Sequence, residues 1–210
     1  RYIHNSVDIQ MLCKILKGQR MKKEEPPIVL IYPFYSTLDT AMRLTLTAQN
    51  IESKDTKNIL AKSAIIHCAL AIEALANSLI ANLNLQSKFE ESIEKLDTIS
   101  KLQMFYMVWK SSPNMDRGQK CIQIFQEFIS IRNTYVHPKS YSVKAEKTED
   151  GNYTIPIKDH YKILNIKKDN NVWSGEDAVL CLNHLLKALD WFIIDSLGLC
   201  NKRVEDIIFF

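Results

Sequence analysis

One short segment of the sequence combines side chains that could act on a phosphodiester, and it lies where a helix is predicted to end. Arg132, Asn133 and His137 fall within six residues, and Pro138 follows them. Because proline disfavours α geometry in the residue before it, the helix should stop near His137. Asn133 and His137 are four residues apart, so they share one face if the helix reaches that far. The segment therefore predicts a guanidinium, an amide and an imidazole together at a helix C-terminus.

This combination suits phosphodiester cleavage without a metal ion. Arginine is permanently charged, and its fork of donors matches the oxygens of a phosphate, above all in a transition state that gathers negative charge there. Histidine titrates near neutral pH and can move a proton to or from a ribose hydroxyl. The carbonyl groups at the helix end favour the imidazolium form of His137, whereas Arg132 opposes it, and the sequence does not decide between them.

The helix that must position this segment is predicted to begin near residue 116. Asp116 with Gln119 three residues later is typical of a helix start, after a break at 111–114. Its predicted apolar face consists of Cys121, Ile122, Phe125, Phe128, Ile129 and Val136.

A second, very apolar helix is predicted from Asp55 to about Asn84. Its apolar residues surround nearly the whole circumference, which is typical of a helix buried on more than one side. It is long enough for a bilayer, but Glu73 lies in the middle of the apolar stretch, where a carboxylate costs about 2.5–3.5 kcal/mol in a membrane. The sequence therefore favours the central helix of a soluble bundle over a membrane span.

The remaining chain is predicted to be mostly helical, with one β-rich insert. Ser174 and Asp177 are predicted to cap a final long helix that ends near Leu197, and Asp150-Gly151 is a tight-turn signal inside the insert. The other predicted helices span 6–20, 36–50 and 87–96, with more helix through 107; the predicted extended runs are 28–32, 141–143, 153–155 and 161–164.

Composition sets limits on compartment and partners. The five cysteines are scattered, and no C-x-x-C occurs, so we expect reduced core thiols and a cytoplasmic location. The net charge of +3 is too small to indicate a nucleic-acid-binding protein by itself. All five glycines are isolated, so there is no Gly-rich phosphate loop, and no serine or cysteine protease pattern appears. No cofactor is expected.

At the segment Arg132-Asn133-x3-His137, the sequence resembles the R-x4-6-H motif of HEPN domains. In that family a polar residue, often asparagine, commonly follows the arginine, as Asn133 does here. The apolar stretch 64–77 resembles the long helix of the family, in which an internal acidic residue would match Glu73. The resemblance covers roughly residues 55–197, interrupted by the insert.

The resemblance implies a HEPN-like helical bundle with a small β-hairpin or three-stranded insert before the last long helix. In the domain organisation that this implies, residues 1–50 form an N-terminal helical extension that packs on the bundle. Residues 51–210 form the HEPN-like domain, with the insert at about 139–173. Many members are metal-independent endoribonucleases of toxin or phage-defence systems. They usually act as homodimers, in which the 2′-hydroxyl of the RNA attacks the phosphodiester at a site shared by two subunits.

Two features depart from the family pattern. The insert is longer than the usual family loop and directly follows the motif, so it could gate substrate, contact RNA through its lysines or extend a dimer interface. Toxin members often have a tyrosine two residues after the histidine, where this chain has Lys139, with Tyr141 nearest. This departure weakens the interpretation as a toxin with an antitoxin partner.

Each site residue also has a structural explanation. His137 could cap the helix end, and Arg132 could form a buried ion pair with Glu73, which is compatible with Glu73 orienting it for phosphate. Asn133 is equally suited to a hydrogen bond at the helix end or to a supporting role. For Tyr135, a core position is favoured over stacking on a base. For Lys139, a phosphate contact and a solvated position are equally favoured. Cys181 and His184 have metal-compatible spacing but too few ligands for zinc.

Two functions follow from these residues. The first is an RNA endonuclease in which Arg132 and His137 are catalytic and Asn133 and Glu73 support them. The alternative is a catalytically inactive HEPN-like module for nucleotide or RNA binding or for dimerisation. An antitoxin or regulatory protein as partner remains open, and the sequence favours neither a membrane nor a metal.

Overall fold

The computed structural model describes residues 33–83, 85, 87–112, 115–137, 146–147, 150, 153–154 and 160–197. These residues form a helical bundle with two small antiparallel hairpins before the last long helix. The helices are α1 (Pro33–Asn50), α2 (Lys54–Ala81), α3 (Ser87–Glu94), α4 (Thr98–Lys110), α5 (Lys120–Val136) and α6 (Gly175–Asp190), and a π-helical turn (Trp191–Ser196) continues α6.

Helix α2 is the centre of the bundle. It packs along α1 over most of the length of α1, and α4, α5 and α6 also pack against it. Its small residues Ala61, Ala64, Ala69, Ala71 and Ala76 are buried, so neighbouring helices can approach closely on several sides. Burial all round explains why apolar residues occupy nearly the whole circumference of this helix.

One helix in the described part of the chain, α2, is long and apolar enough to cross a membrane by length and composition. Most of its apolar window, 61%, is buried inside the protein. The core helix of a soluble protein meets the same two criteria, so this finding does not assign the protein to a membrane.

Helices α5 and α6 pack against each other and against α2. Phe125 and Phe128 of α5 are fully buried, and Phe125 meets Phe192 edge to face, with ring centroids 5.7 Å apart. Burial of each phenyl ring stabilises the bundle by roughly 2–3 kcal/mol. This packing holds α5 in place against α2 and α6.

Local signals explain where several helices begin. Helix α6 starts at a complete capping box, in which Ser174 and Asp177 each bond to the other's backbone. Asp97 caps α4 by accepting from the hydroxyl and the backbone N–H of Ser100, and these hydrogen bonds lower the pKa of the Asp97 carboxyl. Pro33 begins α1, because its fixed φ suits the first turn of a helix.

The insert contains two hairpins of two-residue strands. Strands β1 (Glu146–Lys147) and β2 (Tyr153–Thr154) pair, as do β3 (His160–Tyr161) and β4 (Ile166–Lys167). In the turn between β3 and β4, Asn165 has φ of 56°, a left-handed conformation that asparagine tolerates.

The predicted mainly α fold with a small β insert before the last long helix is confirmed. The end of α5 at Val136, next to His137, is also confirmed, as are the start of α6 after Ser174 and the turn at Asp150 between β1 and β2. The predictions for 6–20, 28–32 and 141–143 lie outside the described residues. The division of the chain at residue 50 stays a prediction; the described helix of that N-terminal part, α1, packs on α2 and α6.

Several predicted boundaries were wrong. Helix α1 begins three residues before Ser36, and α2 is capped by Ser53 rather than Asp55. Helix α5 begins at Lys120, because the Asp116 carboxylate accepts from the N–H of Gly118 in a turn that precedes the helix. The run 161–164, predicted as extended, is strand only at its first residue and then turns toward β4.

Candidate functional site

The Arg132 side chain lies between two helices and contacts a carboxylate. Its Nη2 is 3.1 Å from both carboxylate oxygens of Glu73 on α2, and its Nη1 donates to Asn133 Oδ1 at 3.0 Å. The side chains of Arg132 and Glu73 are about one-third exposed, at 30% and 33%. The guanidinium is therefore held in one orientation while part of it stays open to solvent.

One donor of this guanidinium is left over. Arg132 Nε is buried and has no acceptor among the residues that the structure describes. A buried donor without an acceptor costs free energy, on the order of 1–3 kcal/mol. Within the described part of the chain, this donor is therefore an unsatisfied polar group inside the contact between α5 and α2, and the exposed part of the guanidinium lies elsewhere, at its other nitrogens.

His137 lies one helical turn beyond Asn133. Its backbone N–H donates to the Asn133 carbonyl at 2.9 Å, so the helical bonding pattern reaches His137. The residue itself has left helical geometry, with φ of −123° and ψ of 65°, and is exposed. Asn133 therefore links the two residues, through its side chain to Arg132 and through its backbone to His137.

The packing of α5 against α2 explains how the sequence positions these groups. Ile131 of α5 and Ile72 of α2 are fully buried, and each directly precedes a member of the ion pair. Successive residues of a helix are rotated by about 100°, so Arg132 and Glu73 lie at the edge of this contact. Side chains at that edge reach each other while keeping part of their surface in solvent.

The residues between Arg132 and His137 are more exposed than the sequence indicated. Tyr135 and Val136 are each 48% exposed. The favoured core position of Tyr135 was therefore wrong, and so was the placement of Val136 on the apolar face. Cys121, Ile122, Phe125 and Phe128 of that predicted face are buried, and Ile129 is partly buried. Lys139 lies outside the described residues.

The opposite side of α5 carries a connection that sequence reasoning missed. The Glu127 carboxylate accepts from the backbone N–H groups of Ile163 at 3.0 Å and Leu164 at 2.8 Å. The Tyr161 hydroxyl hydrogen-bonds with Ser130 and Thr134, and burial raises the pKa of this phenol above its ordinary value. The signal available in the sequence was the spacing 127, 130 and 134, which places three polar side chains on one helix face.

No metal site is present among the described residues: they contain no group of three or more His, Cys, Asp or Glu side chains that could hold an ion. Cys181 is fully buried, and burial raises its pKa well above the ordinary value. Partial burial lowers the pKa of His184, and the nearby Lys120 and Lys187 lower it further. Burial is thus the largest influence on the pKa of both residues, and Lys120 and Lys187 add positive charge beside His184.

Comparison of the chain with models of protein families, with curated proteins and with solved structures gives no match.

Proposed function

We propose that the protein is a metal-independent endoribonuclease of HEPN type, with Arg132 and His137 as the catalytic residues. One observation supports this most: the Arg132 guanidinium is fixed by Glu73 and Asn133, and the exposed His137 follows one helical turn after Asn133 at the same helix end. A fixed cation and an imidazole at one helix end are the two groups that charge stabilisation and proton transfer on a phosphodiester require.

In the proposed reaction, Arg132 stabilises the negative charge that develops on the phosphate oxygens. His137 takes a proton from the ribose 2′-hydroxyl or gives one to the leaving 5′-oxygen. The 2′-oxygen forms a new bond to phosphorus as the bond to the 5′-oxygen breaks, which leaves a cyclic phosphate. Asn133 and Glu73 act as positioning residues, because they hold the guanidinium and have no proton to transfer in this scheme.

The proposed enzyme acts as a homodimer, with the site at the interface. The exposed Tyr135 and Val136 lie between the two catalytic residues, and paired apolar surface of this kind suits contact with a second copy. Lys139 is the proposed RNA contact, and stacking of Tyr135 on a base is the alternative to its contact with the second copy. A cytoplasmic role in a defence or toxin system, with a regulatory protein or antitoxin, is part of the same proposal.

RNA cleavage in the presence of a chelator tests this function. We expect wild-type protein to cut RNA, and Arg132→Ala and His137→Ala to lose at least about a hundredfold of the rate. Arg43→Ala is a matched control, because Arg43 is an exposed arginine that pairs with Asp39 on α1. Equal cleavage by all four proteins would show that a contaminant cuts the RNA and would refute the proposal.

The alternative is a catalytically inactive HEPN-like module, for which the motif has a structural role. One observation favours it: Arg132 already has a carboxylate partner, so its charge is offset without a phosphate. Under this alternative, Arg132→Ala lowers the melting temperature by several degrees and no RNA substrate is cut. RNA cleavage by wild type that depends on His137 would exclude it.

A further inference from the structure

The second hairpin of the insert, residues 160–167, is anchored to α5 at several points. Its turn donates two backbone N–H groups to the Glu127 carboxylate, and the Tyr161 hydroxyl bonds to α5 as described above. At the other end, Trp173 Nε1 donates to the Lys167 carbonyl at 2.6 Å. A hairpin of two-residue strands is marginal on its own, so these anchors are what hold it in one conformation.

The side chains of this hairpin divide cleanly between two faces. The inner face consists of Tyr161, Leu164 and Ile166, all buried. The outer face consists of His160, Lys162, Asn165 and Lys167, all exposed, and His160 pairs with Lys167 across the strands. We call His160, Lys162 and Lys167 the basic hairpin face.

Acidic residues are missing from this stretch. Residues 160–168 contain three lysines and one histidine and no carboxylate. The Glu127 carboxylate, which lies beneath the turn, is engaged by backbone N–H groups, and Asp169 accepts from the N–H of Asn171.

We propose that the basic hairpin face binds the phosphate backbone of single-stranded RNA. This inference rests on the proposed function for its choice of ligand, and it extends that function by adding a second contact outside the cleavage site. The anchors hold the backbone that carries these side chains, so the hairpin itself does not have to become ordered on association. Neutralising phosphates with these cations releases counterions, which supplies the free energy.

The hairpin provides a second contact and is not an extension of the Arg132 site. Tyr161 contacts Ser130 and Thr134, which flank Arg132 in the last two turns of α5. Residues two positions apart point about 160° away from each other around a helix, so the hairpin lies on the side of α5 opposite Arg132. An RNA strand bound at both positions would pass around the end of α5, over a length of several nucleotides.

Binding of an RNA that cannot be cut tests the inference without any catalysis. A fluorescent 2′-O-methyl RNA is titrated with wild type, with Lys162→Ala/Lys167→Ala and with the control Lys95→Ala/Lys110→Ala, at several salt concentrations. Lys95 and Lys110 are exposed and lie outside the insert. We expect the hairpin variant alone to bind at least about fivefold more weakly. The slope of log K against log salt concentration should become shallower by about 0.7 for each lost phosphate contact.

The outcomes separate this inference from the proposed function. Weaker binding by the hairpin variant supports the inference even if wild type never cuts RNA. Cleavage by wild type together with equal RNA affinity of all three proteins refutes the inference and leaves the enzyme standing. An equal loss in the control variant also refutes it, because only total charge would then matter. Binding of phosphatidylserine vesicles through Lys162 and Lys167, without RNA binding, would overturn the choice of RNA.

Discussion

At the scale of single residues, the ion pair of Arg132 and Glu73 matters for both proposed functions. Both side chains are about one-third exposed, so solvent screens part of their attraction. The two N···O contacts at 3.1 Å, one of them a hydrogen bond, nevertheless join α5 to α2, and one partner alone would leave a partly buried charge. The pair is thus a structural element as well as a candidate part of a catalytic site.

A double-mutant cycle on this pair measures its structural role. We expect Arg132→Ala and Glu73→Ala each to lower the free energy of unfolding by about 1–2 kcal/mol. The double variant should lose less stability than the sum of the two single losses, with a coupling free energy of about 1 kcal/mol. Chemical denaturation gives the values, and the exposed pair Asp39–Arg43 serves as the control, with an expected coupling below about 0.5 kcal/mol. Additive losses would contradict a stabilising pair.

His184 gives a prediction about pH. Its pKa is lowered, first by burial and then by Lys120 and Lys187, so the unfolded chain takes up a proton that the folded protein resists. Stability is therefore complete above the unfolded value of about 6.5 and declines as the pH falls below it. Because the group is partly exposed, the loss should stay below about 1 kcal/mol.

The measurement for His184 is the melting temperature between pH 7.5 and 5.5, in wild type and in His184→Asn. We expect the melting temperature of the wild type to fall more than that of the variant between pH 7.5 and 5.5, because the variant has no group at this position that titrates. Parallel curves for the two proteins would show that the lysines and the burial do not act on this imidazole.

At the scale of the elements, the Glu127 carboxylate connects a helix to the turn of a hairpin. Glu127→Ala leaves the N–H groups of Ile163 and Leu164 without their acceptor, and we expect a loss of about 1–3 kcal/mol in stability. Hydrogen exchange at those two amides should accelerate strongly, because local opening of the hairpin becomes easier. Gln126→Ala, an exposed neighbour on α5, is the control. Unchanged exchange in Glu127→Ala would show that other contacts hold the turn.

At the scale of the whole molecule, the proposed homodimer predicts that the exposed apolar residues of α5 become buried between the two copies, unlike exposed apolar residues elsewhere. We expect Tyr135→Ser/Val136→Ser to weaken association by at least tenfold, because apolar surface no longer becomes buried between the copies. Sedimentation over a range of concentrations measures this. Met107→Ser/Val108→Ser is the control, since these residues of α4 are also neighbouring and exposed. A wild type that stays monomeric at all concentrations would refute a dimer-interface site.

Sequence signals that act over a few residues located much of the framework. Pro138 predicts the end of α5, and the Ser174–Asp177 capping box predicts the start of α6, since each signal depends on hydrogen bonds or sterics within one turn. The burial of α2 follows from the apolar residues around its circumference, a pattern that repeats every few residues of the sequence. Where two local signals competed, as between Ser53 and Asp55, the sequence indicated the helix but not its first residue.

Only the tertiary structure decided which distant groups meet. Glu73 and Arg132 are 59 positions apart in the chain, and Glu127 and Leu164 are 37 apart. No local propensity encodes such contacts, because they depend on the packing of α5 against α2 and on how the insert returns to α5. The residues of the motif and the end of their helix can thus be identified from sequence, whereas the partner that holds Arg132 and the exposure of Tyr135 require the packed fold.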